Sequence, residues 1–300
     1  MPHTLNRPPD REAIGERPNP LGLAGIEFIE YATSRPQALG QVLETLGFQP
    51  VARHRSREVL LYRQGDMNVV INAHGSDGPH AVPPGEVPVI AAIGLRVRDA
   101  AAAYRRVLDL GAWAVPAHVA VMELNIPAIH GVGASRIYFV DRWDAFSIWD
   151  VDFVPIPTVA QRPPALAGLH WFGLVQYIGA GRMADWCAFY GELFGFAELP
   201  DEQRFGILPK GRILQSPCRS FYLQLIEPEP GAEELAGDER LQRIGLGTPD
   251  VPSAVQALRA YGVDFVERPD GLHTEQRGAL TTPRLGGLMF ELVHDAGVAP

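Results

Sequence analysis

The 300-residue sequence has only two cysteines, Cys187 in "ADWCAFY" and Cys218 in "SPCRS". Two isolated thiols cannot form a disulfide framework or a zinc knuckle, so buried or loop thiols are expected. Long apolar runs are missing too, and the opening "MPHTLNRPPDREAIGERPNP" puts proline and charge where a signal peptide needs its apolar core. A cytoplasmic protein with no membrane partner follows as an expectation. Positive charge is also in short supply. The formal net charge of −9 and a pI near 5.5 disfavour a nucleic-acid backbone as partner, because neither surface is drawn to the other.

What is present is 46% apolar and 20% charged residues, with 31 Gly and 27 Pro. Such a chain turns often between short elements, and its length exceeds one typical core. A two-domain α+β protein is expected.

One phrase recurs four times: an amphipathic helix, a glycine, then a strand. It reads "PQALGQVLETLGFQPV", "DAAAAYRRVLDLGAWAV", "RMADWCAFYGELFGFAEL" and "VPSAVQALRAYGVDFV". Gly47, Gly111, Gly195 and Gly262 stand where each helix should stop in a left-handed turn. Asp99 and Asp250 occupy N-cap positions. Each helix follows a strand-like run ("LAGIEFIEYA", "VIAAIGLRVRD", "FGLVQYIGA", "LQRIGLGTPD") and precedes others. Paired two by two, the units predict a disordered tail over 1–19, a first domain over 20–154, a proline-rich linker over 155–167 and a second domain over 168–296.

The segments "NPLGLAGIEFIEYA", "HRSREVLLYRQGDMNVVIN", "MELNIPAIHGVG" and "GRMADWCAFYGELFGF" together resemble bacterial 4-hydroxyphenylpyruvate dioxygenase, of the vicinal oxygen chelate (glyoxalase/bleomycin resistance/dioxygenase) superfamily. The resemblance implies two tandem domains, each of paired βαβββ units forming an open, cup-like sheet. It further implies a structural N-terminal domain and a C-terminal cup in which two His and one carboxylate hold Fe(II) for an aromatic 2-oxo acid and O2. Along the match, "GGLMFELVHD" places Glu291 on the carboxylate position. The second His position falls on Arg243, whose guanidinium has no lone pair for a metal. The first falls on Gly173, and His170, three residues away, points to the other face unless a bulge intervenes. Family positions that face substrate fall on Gly211, Ile226 and Gly278, and the chain ends at Pro300 where the family continues into a closing helix.

With two of three ligands replaced, no cofactor is expected. Arg243 and Glu291 should meet inside the cup, either as a mutually neutralising pair in a retired site or as a guanidinium fork holding a ligand carboxylate. Strand alternation adds Tyr222, Gln224, Trp171 and Tyr177 to the lining, with Val175, Met289 and Val293. The function expected is a dioxygenase-like protein that binds or transforms a small carboxylate, aromatic or not, without metal. Two alternatives stand beside it: an Fe(II) dioxygenase with a shifted ligand set that includes His170, and a structural subunit with no ligand. A homo-oligomer fits all three. His54, His118 and His130 in the first domain, and His273 and His294 in the second, read as hydrogen-bonded structural or solvent-facing residues.

Overall fold

The computed structural model describes residues 18–73, 85–116, 123–144, 146–200, 211–229, 231, 238–267 and 278–296. His118, His273 and residues 1–17 of the expected tail lie outside them. The first domain runs β1 (Gly25–Ala32), α1 (Pro36–Thr45), β2 (Gln49–His54), β3 (Val59–Gln64), β4 (Met67–Asn72), β5 (Val89–Arg96), α2 (Ala100–Asp109), β6 (Ala128–His130), β7 (Arg136–Val140), α3 (Ile148–Asp152) and β8 (Phe153–Pro155). The second runs β9 (His170–Tyr177), α4 (Met183–Phe194), β10 (Ala197–Glu198), β11 (Arg212–Gln215), β12 (Tyr222–Ile226), β13 (Arg240–Thr248), α5 (Val251–Ala260), β14 (Ala279–Leu280) and β15 (Phe290–His294).

The two sheets share one strand order. The first is β6-β7-β5-β1-β4-β3-β2-β8 and the second, read from its other edge, is β14-β15-β13-β9-β12-β11-β10. In both, the central antiparallel pair (β1 with β5, β9 with β13) is flanked by strands running parallel to its members. Both sheets stay open. The first unit of each domain is a full βαβββ repeat. In the second units the strand after the helix shrinks to a single bridge, Ala114 with Ile129 and Phe265 with Thr281.

The repeated phrase acts as its chemistry requires. Asp99 accepts from the Ala102 amide at 2.8 Å and Asp250 from the Ser253 amide at 2.9 Å, satisfying donors that the first helical turn leaves open. The four glycines that follow the helices all take left-handed φ, from +80° to +94°. Helix residues Leu39, Leu43, Val107, Phe194 and Leu258 are fully buried against Ile29, Ile244, Leu246 and Leu292 of the sheets, and this core is continuous between the domains. Across the junction the Phe139 and Phe194 rings stack at 6.2 Å. Gly133 lies so near the second domain that a Cβ there would come within 1.9 Å of the Glu239 carbonyl oxygen, so only glycine fits. The sheet faces opposite the helices carry the recesses.

Candidate functional site

In the C-terminal recess, β13 and β15 run parallel with Gly245 opposite Glu291, while Arg243 sits opposite Val175 of antiparallel β9. Arg243 Nε donates to Glu291 Oε2 at 3.1 Å, and each side chain is only 4% exposed. Each charge would be costly to bury alone, and a close, hydrogen-bonded partner offsets that cost. Arg243 Nη2 has no hydrogen-bond partner among the described residues.

The residues present do not fit a two-His, one-carboxylate iron centre. The only carboxylate of the set is engaged by a guanidinium that cannot ligate. At Gly173 an added Cβ would lie 2.2 Å from the Tyr222 carbonyl oxygen, so no side chain could stand there without moving β12. Among the described residues no group of three or more His, Cys, Asp or Glu is placed to hold a metal ion.

His170 does benefit from a bulge. The β9–β13 register slips between Gly245 and Leu246, leaving Phe172 unpaired and bringing His170 opposite Gly247, with its ring over that glycine. Its two ring nitrogens are occupied: Nε2 lies 3.0 Å from Asp295 Oδ2 and Nδ1 3.0 Å from the Gly168 carbonyl. It is held at the end of the strand rather than beside Glu291.

The same bulge corrects the alternation reading of Trp171. Trp171 pairs with Leu246 and packs on Phe48 of the first domain, while Phe172 enters the recess and meets the Tyr222 ring at 5.0 Å. Tyr177 also lies outside the lining; it sits at the strand end under the Arg240 guanidinium. Phe172, Val175, Tyr222, Gln224, Glu291 and Val293 bound the space that remains, and it measures only about 30 Å³. That is room for one or two waters.

The larger of the two cup recesses is in the N-terminal domain, which sequence reasoning set aside as structural. There the face opposite the helices encloses about 410 Å³, within the range of small-molecule sites. Glu30 of β1 projects into it and accepts from Asn72 Nδ2 at 2.8 Å. Burial pushes the Glu30 carboxyl above its ordinary range, opposed by the Asn72 bond and by the Arg136 and Arg57 charges. It keeps partial exposure because the cavity lies against it. Arg136 Nη1 donates to Tyr138 Oη at 3.4 Å. Elsewhere in the lining Arg57 is paired with Glu123, which also accepts from Ser56 Oγ at 2.9 Å.

Aromatic rings make the other wall. Phe28 lies 5.8 Å from Tyr138 and 5.7 Å from Trp149, and Phe153 edges both Trp149 and His54 at 5.3 Å. Trp149 is fixed from behind by its Nε1 bond to Glu27, whose other oxygen is ion-paired with Arg96. Burial lowers the His54 pKa, with Asp152 and Glu123 opposing. One signal in the sequence could have found this recess: "GIEFIEYA" carries a glutamate, Glu30, on the face of a central strand that should be apolar if the cup were filled.

Two family profiles match the chain, one described as "Hydroxyphenylpyruvate dioxygenase, HPPD, N-terminal" over residues 18–154 and one as "Glyoxalase/Bleomycin resistance protein/Dioxygenase superfamily" over 168–292. Hemolysin VllY of Vibrio vulnificus is 35% identical over 268 residues, covering 84% of this chain and 74% of that protein. The 4-hydroxyphenylpyruvate dioxygenase of Pseudomonas aeruginosa is 31% identical over 271 residues, covering 85% of this chain and 74% of that one. Among solved structures, a variant of 4-hydroxymandelate synthase from Streptomyces coelicolor superposes with a TM-score of 0.71 at 17% identity, over 93% of this chain and 95% of that one. The chain is a member of the 4-hydroxyphenylpyruvate dioxygenase family, within the vicinal oxygen chelate superfamily.

Proposed function

We propose that this protein is a 4-hydroxyphenylpyruvate dioxygenase-like small-molecule binder that works without iron in its C-terminal recess. The observation that carries the reading is the buried Arg243–Glu291 ion pair, which puts a permanent cation where a ligating histidine would have to stand. The Arg243 Nη2 group, buried and without a hydrogen-bond partner among the described residues, supplies a donor for one carboxylate oxygen of a small ligand. Tyr222 and Gln224 line the recess together with Glu291, the partner of Arg243. Even a compact carboxylate exceeds the one or two water positions of this recess, so its entry requires the lining to shift. An aromatic one enters only if Phe172 or Tyr222 swings aside. The acidic net charge keeps a nucleic-acid partner out of the proposal.

Titrating metal-stripped protein anaerobically with Fe(II) tests the metal part. No stoichiometric iron is expected. One iron per chain, lost in Glu291→Ala, would replace this reading with the Fe(II) dioxygenase alternative. Thermal shift against acetate, pyruvate and phenylpyruvate tests the ligand part, because a compound bound only by the native state raises the Tm. A rise that disappears in Arg243→Met, measured against that variant's own baseline, is expected. No rise with any of them would favour a structural subunit.

A further inference from the structure

The C-terminal recess has little room, whereas the N-terminal one has space that neither the iron chemistry of the family nor the reading above uses. We propose that the N-terminal recess is a binding site for a small hydroxylated aromatic compound, its ring lying among Phe28, Tyr138 and Trp149 and its hydroxyl donating to Glu30.

Three features of this recess carry the inference together. The first is volume: about 410 Å³ of space is several times what a single aromatic ring fills. The second is the wall. Aromatic side chains at centroid separations of 5.3 to 5.8 Å form one continuous surface against which another ring can pack edge-on or offset. Trp149, anchored through Glu27 and Arg96, is held in place before any ligand arrives. The third is Glu30. A carboxylate on the central strand of a sheet loses water there and is tolerated only with compensation. Asn72 gives it one hydrogen bond, and a carboxylate has acceptor sites for about four. A ligand O–H supplies another, and it does so in a desolvated setting where a charged hydrogen bond counts for more than in water.

The polarity selects the ligand class. Arg136 and Tyr138 stand beside Glu30 with a guanidinium and a phenol, and Arg57 is held by Glu123, so a ligand ammonium would meet the Arg136 charge. A neutral hydroxyl meets no such repulsion. The aromatic wall then favours a planar ring over a sugar or an aliphatic alcohol.

The test uses the full chain and a matched pair of probes, p-cresol and toluene, which differ only in the hydroxyl. Isothermal titration calorimetry, with tryptophan fluorescence as a second readout, should show one p-cresol per chain at millimolar concentration or below and toluene about tenfold weaker, the size expected of a hydrogen bond to a charged group. Glu30→Gln should weaken p-cresol by about that factor and leave toluene unchanged. Val70→Phe, on the strand beside Glu30, should put a ring into the space next to that carboxylate and weaken binding of both. Val175→Phe, in the C-terminal recess, should leave both unaffected. The circular dichroism spectrum and Tm of each variant report whether it folds. Should Val70→Phe fail to fold, a p-cresol complex solved by crystallography places the ring directly. No p-cresol binding to the unmodified chain, equal binding of toluene, or binding lost only in Val175→Phe would each overturn the proposal. None of these outcomes depends on whether the C-terminal recess takes iron.

Discussion

The two recesses occupy the same frame, so their rows can be compared strand by strand. In the first domain Glu30 on β1 faces Ala92 on β5 and Val70 on β4; in the second, Val175 on β9 faces Arg243 on β13 and Gln224 on β12. One step along, Phe28, Gly94 and Tyr138 correspond to Gly173, Gly245 and Glu291. In the N-terminal recess the carboxylate lies on one central strand and a methyl faces it from the other. The C-terminal recess has its carboxylate on the outer strand β15 and a long guanidinium reaching across to it. The enclosed volumes follow, about 410 Å³ against about 30 Å³. Phe172 and Tyr222 crowd one cup beside its charge pair, and the aromatic wall of the other leaves space in front of Glu30.

The largest effect should come from breaking the closed cup. Arg243→Met strands Glu291 as a buried charge, and the expected loss is about 3–5 kcal/mol of unfolding free energy in urea titration. Pairing it with Glu291→Leu should recover most of that loss, because apolar groups can replace a buried ion pair. Equal instability of single and double variants would show that the pair does not set the stability of this cup.

Next, Glu30→Gln should affect stability and binding in opposite directions. The folded carboxyl holds its proton more tightly than the unfolded one, whose reference value is 4.5. The native state therefore binds more protons in the window above that value, and stability falls as pH rises through the raised native pKa. Below pH 4 the proton is bound in both states and the penalty is absent. The Tm advantage of Glu30→Gln should thus grow from pH 4 to pH 8, while p-cresol binding weakens. A variant less stable at pH 8 than the unmodified chain would show that the ionised form is structural.

The smallest expected effects concern the frame itself. Asp99→Ala removes one N-cap bond and should lower stability by about 1 kcal/mol, and Asp250→Ala, which removes the bonds from the Ser253 amide and hydroxyl, should lower the Tm in the same direction. A large inequality between them would show that the two domains do not use their repeated helices alike.

Much of the frame was legible because its signals are local. Helix stops at Gly47, Gly111, Gly195 and Gly262 depend on one residue's backbone freedom, and the caps on one side chain reaching three residues ahead. The meeting of Arg243 and Glu291 was legible only through the family resemblance, which implies that these two strand positions face one another. Trp171 was not, since alternation assumes an unbroken ladder and the bulge at Phe172 reverses the faces before it. The N-terminal cavity was not either. An empty volume is a property of side chains from β1, β4, β7 and the segments around α3 taken together, and no single stretch announces it.

By itself, then, the chain's sequence determined the fourfold helix and strand repeat and its caps. These are matters of residue identity and short-range geometry. Only the tertiary structure decided which face Trp171 and Phe172 take, where His170 is held and which recess keeps its space. Register and void volume arise when distant strands pack, and packing sums contributions that lie far apart along the chain.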